Sequence, residues 1–301
     1  MKRTLNELIV QAQGLHLRVA VASAHDKEVL ESLILAREQG ICSALLFGKA
    51  ERIRALLRSL GADESGFAIV EPEDGSDEAC ARAAVAAVEQ GEADYLMKGI
   101  LNTTVFLRAV VHSALMSGHL LSHVMFYELP AYHKLLALTD GAMNPAPDLE
   151  NKRVLLENAA RLLRLIGYRS INAACVSGSE IVSEKIPSTT DAKALSELDW
   201  SSFGMTVFGP VALDLAISQE ACKQKSYTAA GAGDADLLLM PNYEAANCLG
   251  KSLTYFADAR SAGLVVGARC PIVLVSRADS ADVKLTSLAL GAVATQGGTH
   301  T

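Results

Sequence analysis

The sequence predicts an α/β protein built on a parallel sheet that carries helices on both faces. Short, apolar, β-rich runs recur along the chain, and amphipathic stretches of helical period separate them. Half of the 301 residues are hydrophobic and only 20% are charged, a composition that excludes disorder. A chain of this length can bury roughly three quarters of its unfolded surface, enough for one large domain or two medium ones.

Residues 1–13 are polar and amphipathic, and read as a first helix on the body of the protein rather than as a signal peptide. The run RVAVASA at 18–24 predicts a strand, and 26–38 a helix. The alternation continues with a strand at 41–47, a helix at 50–60, a strand at 67–70, a helix at 77–90 and a strand at 95–97. A helix over 103–115 and a strand over 122–126 follow. TDGAMNPAP at 139–147 breaks the rhythm, because Gly141, Pro145 and Pro147 fit poorly inside a regular element. This break reads as a domain crossing. From Asp148 a long helix runs to about 165, and a second series opens with strands at 171–176 and 205–208 and helices near 191–198 and 212–223. It closes with a strand at 237–240, a helix over 245–256, a strand at 272–275 and a helix over 281–294. GEADYL at 91–96 and GDADLL at 233–238 echo each other, either as a repeat or as common turn chemistry.

The formal net charge of −7 argues against a general nucleic-acid binder. Apolar stretches such as 83–88 and 272–275 fall far short of the ~20 residues of a membrane span. Six cysteines without a CxxC pair read as buried small hydrophobes in a reducing, cytoplasmic compartment. Gly231-Ala-Gly233 precedes a strand, whereas a dinucleotide fingerprint follows one. P-loop, HExxH and GxSxG motifs are missing from the sequence. His119 and His123 are four apart, but Gly118 and the β-rich run after them argue against a metal-binding helical face, and no metal is expected.

The informative residues lie at the carboxyl ends of predicted strands, where open α/β sheets bind ligands. Lys98-Gly99 ends one strand and Asn102-Thr103-Thr104 begins the next helix, a plausible anion site or, alternatively, ordinary N-capping. Ser276-Arg277 ends another strand, with Asp279 and Asp282 before the last helix. An arginine at such a mouth points to an anion.

Six segments together resemble the phosphate acetyl/butyryltransferase family, the butyryl branch more closely. They are ADYLMKGILNTTVFLRAV (93–110), ALTDGAMNPAPDLENK (137–152), IPSTTDAKAL (186–195), FGPVALDLAIS (208–218), ADLLLMPNYEAANCLGKSL (235–253) and PIVLVSRADSADVKLTSLALGA (271–292). The resemblance runs from about residue 18 to 294. It implies two α/β domains with a cleft between them, similar to isocitrate and isopropylmalate dehydrogenases. The chain then returns, so that 1–138 and 268–301 form the first domain and 139–267 the second. The reaction implied is transfer of a short acyl group between coenzyme A and inorganic phosphate, by a homodimer without metal or redox cofactor. Acetyl in place of butyryl is the first alternative, and an inactive CoA-binding relative the second.

Residue by residue, Ser276 and Arg277 match the family's catalytic Ser-Arg pair, and Asp282 the acid that deprotonates the CoA thiol. Ala278 stands where acetyl enzymes carry glycine, the spacing to the acid is one residue longer, and Asp279 is the competing acid. Lys98, Gly99, Asn102, Thr103, Asp140 and Asn144 are expected on phosphate or CoA. Asp140, Asn144 and Glu180 are expected either to shape the cleft or to be structural. Moving a proton fully from a free thiol to an ordinary aspartate is uphill by about 6 kcal/mol. The acid is therefore expected to act in concert with attack, while Arg277 stabilises the thiolate.

Overall fold

A computed structural model describes residues 4–116, 120–276 and 279–298. The alternation read from the sequence becomes α1 (Leu5–Ala12), β1 (Leu17–Ala22), α2 (Lys27–Glu38), β2 (Cys42–Phe47), α3 (Ala50–Ser59), β3 (Ala68–Val70) and α4 (Asp77–Glu89). Then come β4 (Tyr95–Lys98), α5 (Thr103–Val111), β5 (Ser122–Glu128), β6 (Leu136–Thr139), α6 (Leu149–Leu165) and β7 (Ile171–Val176). The remainder is α7 (Pro187–Ser196), β8 (Met205–Val211), α8 (Leu213–Ile217), α9 (Gln219–Gln224), β9 (Leu237–Leu239), α10 (Tyr243–Phe256), β10 (Arg260–Val266), β11 (Ile272–Val273) and α11 (Ala281–Gly298). Side-chain oxygens start many of the helices. Asp26, Ser76, Asn102, Asp148 and Asn242 each accept a backbone N–H in the first turn that follows.

The chain divides into two compact units, one of Asn6–His119 with Ala262–Thr301 and the other of Met1–Leu5 with Leu120–Ser261. In the first, strand order is β3-β2-β1-β4-β11-β10. All neighbours are parallel except β11 and β10. Helix α11 packs on β4 and β11, and the Tyr95 hydroxyl donates to the Leu288 carbonyl at 3.3 Å. In the second unit the order is β5-β6-β9-β7-β8, antiparallel only between β5 and β6.

Two strands, β6 and β10, escaped the sequence reading, and each makes an antiparallel pair in a sheet expected to be wholly parallel. Both are short-range returns whose partners are chosen by hydrogen bonding, which periodicity does not report. The crossings also lie earlier than the sequence reading placed them, at 119/120 and 261/262 rather than at 138/139 and 267/268. The reason is the β5–β6–β9 ladder, which holds β5 and β6 with the strands they pair with. The loop TDGAMNPAP is thus internal to one unit. The helix expected over 212–223 is two helices, because Ser218 ends α8 and its Oγ caps α9 through Ala221 N.

Candidate active site

The candidate residues of the first unit gather at the carboxyl ends of β4 and β11. These strands are parallel neighbours, with Met97 opposite Val273. Lys98 is buried at 4% exposure, and its Nζ donates to the carbonyls of Gly99 at 2.9 Å and Leu101 at 3.1 Å. The lysine thus shapes the 98–102 loop from within. Gly99 approaches the end of β1 so closely that a Cβ would lie 2.2 Å from the Ser23 carbonyl oxygen and 2.4 Å from that of Ala22. Its N–H donates to Ala22 O at 2.8 Å, and that of Ile100 to Ser23 O at 3.0 Å. A Gly99→Ala change is expected to destabilise the protein by about 1–3 kcal/mol, the range for overpacking. Thermal unfolding measures this, and an unchanged melting temperature would mean that the loop moves aside.

Asn102 is the N-cap of α5, and its Oδ1 accepts from Thr104 N at 2.8 Å. Asn102 and Thr103 are exposed, so the capping expected from the sequence is present and the helix start still faces solvent. After β11, Ser276 is exposed. Its N–H donates to Asp279 Oδ2 at 2.7 Å, and Asp279 N–H returns to the Ser276 carbonyl at 3.1 Å. Arg277 and Ala278 lie outside the described residues. Asp282 is exposed in the first turn of α11, and its carbonyl accepts from Thr286 Oγ1 at 2.8 Å. Of the two competing acids, Asp279 holds the Ser276 N–H with one carboxylate oxygen, and Asp282 stands in the first turn of α11.

Asp140 and Asn144 belong to the other unit, at the carboxyl end of β6. Asp140 is buried at 2% exposure. Its Oδ1 accepts from Ala142 N at 2.8 Å and Met143 N at 2.9 Å. Its Oδ2 accepts from His123 N at 3.1 Å and Asn144 Nδ2 at 2.6 Å. Asn144 Nδ2 also donates to Leu121 O at 2.9 Å. With four donors on one carboxylate, Asp140 organises the TDGAMNPAP loop, and Asn144 fastens it to the segment before β5. Glu180 is exposed in the loop after β7. His119 lies outside the described residues. His123 is buried in β5, and among the described residues no group of three His, Cys, Asp or Glu is placed to hold a metal ion.

The sequence reading passed over Lys284, the lone lysine of the largely apolar stretch 281–294. It is buried at 2% exposure, and its Nζ donates to the Asp279 carbonyl. A charged residue inside a helix whose positions 284–294 are all buried was the signal available. The cysteines provide contrasting chemistry. Burial pushes the thiol of Cys42 up to about 11 and those of Cys175 and Cys270 up to about 12.

This is the geometry of an α/β protein whose parallel strand ends carry a loop shaped by a buried lysine, an exposed helix start and an exposed serine. Residues 77–292 match the family model described as "Phosphate acetyl/butaryl transferase". The chain belongs to that family. It is 39% identical over 299 residues to the phosphate butyryltransferase of Clostridium acetobutylicum, covering 97% of this chain and 98% of that one. It is 36% identical over 293 residues to the phosphate acetyltransferase of Thermotoga maritima, covering 96% and 99%. Among solved structures, a branched-chain phosphotransacylase from Enterococcus faecalis V583 superimposes with a TM-score of 0.84 at 33% identity, over 93% of this chain and 99% of that one. A 4-hydroxythreonine-4-phosphate dehydrogenase from Klebsiella pneumoniae shares the fold, with a TM-score of 0.56 at 12% identity over 93% and 100%. That agrees with the dehydrogenase-like α/β architecture expected from the sequence.

Proposed function

We propose that this enzyme exchanges a short-chain acyl group, butyryl or similar, between coenzyme A and inorganic phosphate by direct transfer. The observation that carries the reading is the edge formed by β4 and β11. Adjacent parallel strands lead to the Lys98 loop and the start of α5 on one side and to Ser276 on the other, at one sheet end of a chain that belongs to this family.

In the forward direction an oxygen of phosphate bonds to the thioester carbonyl carbon, the C–S bond breaks, and sulfur departs. Arg277 neutralises phosphate and the developing oxyanion, and Ser276 donates a hydrogen bond to the same oxygen. Removing such a contact typically costs ~10²–10³ in rate. In reverse, sulfur attacks the acyl phosphate while Asp282 takes the thiol proton, and phosphate leaves. Holding two reactants in line supplies on the order of 7–11 kcal/mol. No acyl-enzyme is needed, and the buried cysteines are poor candidates for one. Thiols pushed up by burial carry almost no thiolate at neutral pH.

The reading includes a cytoplasmic homodimer using no metal or redox cofactor. Tyr255 and Phe256, 71% and 88% exposed at the end of α10, are the kind of apolar surface that a second copy would cover.

The test is phosphate-dependent thiol release from acetyl-, propionyl-, butyryl- and isobutyryl-CoA in separate reactions. Release that peaks at butyryl supports the reading. Release that peaks at acetyl keeps the mechanism and favours the second reading, a phosphate acetyltransferase such as the Thermotoga relative. One methylene is worth only about 1–3 kcal/mol of discrimination, so moderate ratios are expected either way. No release from folded protein would leave an inactive relative.

A further inference from the structure

Among the described residues, four other than glycine hold a left-handed backbone: His16, Ser23, Ser226 and Asp258. His16, Ser226 and Asp258 are exposed. Ser23, with φ 52°, is 0% exposed and stands directly after β1. Glycine takes this conformation freely and serine does not. A buried serine held there points to work for its side chain. Its Oγ donates to Asp77 Oδ1 at 2.7 Å, in the first turn of α4. Its carbonyl accepts the Ile100 N–H at 3.0 Å, next to the bond from Gly99 N–H to Ala22 O. The following residue turns to the other side, where Ala24 N–H donates to Phe47 O at 2.9 Å at the end of β2. Ser23 thus marks the reversal of strand order, with β2 and β3 on one side of β1 and β4 on the other. Open α/β sheets bind ligands at the carboxyl ends of strands at such a point. The Gly99 and Ile100 amides are spent on β1, so an anion here meets the first turn of α5 instead.

We propose that Ser23 is a positioning residue for phosphate binding at the start of α5. Its hydroxyl, anchored on Asp77, holds the left-handed turn whose carbonyl fixes the 98–102 loop. Fully buried, Ser23 does not touch substrate and acts through the Ile100 and Gly99 main chain. The inference rests on the reading of that helix start as a phosphate subsite. A glycine would fit the backbone at 23 but could not hold the turn to α4, so stability and binding should respond differently to its introduction.

Ser23→Gly removes the hydroxyl and relieves the backbone, so the melting temperature of the full chain should fall by no more than about 3 °C. The amides of Gly99 and Ile100 should nevertheless exchange with deuterium roughly tenfold faster or more. KM for phosphate should rise roughly tenfold, with KM for acyl-CoA changed by less than about threefold. Asp77→Ala should reproduce both effects from the other partner. Asp77→Asn, whose amide oxygen still accepts from Ser23 Oγ, should stay near wild type. Ser23→Gly combined with Asp77→Ala should be little worse than either alone, because both break one contact.

A Ser23→Gly protein whose 99 and 100 amides stay as protected as in wild type overturns the hold on the loop. Faster exchange with an unchanged KM for phosphate overturns the role in binding. Should Ser23→Gly not fold, Asp77→Ala against Asp77→Asn decides. Failure of the acyltransferase reading shows separately, as no thiol release by wild type from any acyl-CoA. The readout is then the rise in melting temperature in inorganic phosphate over sodium chloride of equal ionic strength. A Ser23→Gly protein that keeps the full wild-type rise, or a wild type without one, overturns the inference.

Discussion

Replacing Asp282 by asparagine is expected to slow the CoA-consuming direction by ~10²–10⁴, the usual contribution of a positioned general base. The same change should leave KM for acyl phosphate nearly unaltered. An amide of the same shape cannot take the thiol proton, so the variant depends on thiolate already present in solution. Its rate should therefore climb as pH approaches the free thiol's pKa of about 8.5, and narrow the gap to wild type. Asp279→Asn is the matched control, because an amide oxygen can still accept the Ser276 N–H now held at 2.7 Å by the carboxylate. It should cost far less than Asp282→Asn. Near-wild-type turnover by the Asp282 variant at pH 7, or the larger loss at Asp279, would exchange the roles of the two acids.

The largest effect on stability is expected in the other unit, at the amino ends of β6, β7 and β9. Lys134 is buried there between Asp234 and Asp236, and its Nζ also donates to the Asp234 carbonyl at 2.9 Å. Lys134→Met would leave Asp236, 4% exposed, without its cation. Breaking a buried pair from one side typically costs 3–5 kcal/mol, or roughly 10 °C in melting temperature for a protein of this size. Adding Asp236→Leu should recover part of that loss.

The pH dependence has a definite sign. Burial acts to raise the Asp234 pKa, but the hydrogen bond and charge of Lys134, then those of His133, outweigh it and hold it below the ordinary value. A depressed carboxylate stabilises the fold fully above its unfolded pKa of about 3.9 and ceases to do so as pH falls through the folded one. The difference between wild type and Lys134→Met should accordingly shrink on acidification below pH 4. A constant difference, or a variant that melts with wild type at pH 7, would remove the ion pair from the account.

The same corner explains the echo between GEADYL and GDADLL. Asp94 accepts from Arg18 N at 2.6 Å and returns its own N–H to the Arg18 carbonyl at 2.8 Å. Asp236 does the same with Asn172, both distances being 2.8 Å. In each unit the aspartate precedes a central strand, β4 or β9, and grips the second residue of the parallel neighbour, β1 or β7. What looks in sequence like a weak repeat is one device used twice, in a buried, lysine-paired form only in the second unit. Sequence could show the spacing but not the partner, since Arg18 and Asn172 lie 76 and 64 residues away.

Local chemistry was legible wherever it acts over a few residues. Periodicity marked nine of the eleven strands among the described residues, Asn102 marked a helix start, and the motif segments marked the family. Everything that depends on which backbone meets which was decided by tertiary structure. Hydrogen-bond ladders paired β6 antiparallel with β5 and β10 antiparallel with β11, and moved the unit boundaries. A 2.2 Å clearance from Ser23 requires glycine at 99. Four converging donors turned Asp140 into a loop organiser, and folding buried the ammonium groups of Lys134 and Lys152 against carboxylates. Short-range preferences are properties of side chains and neighbouring dihedrals, and so are written in the sequence. Ladder pairing, close approach and the desolvation of a charge exist only once distant segments have met.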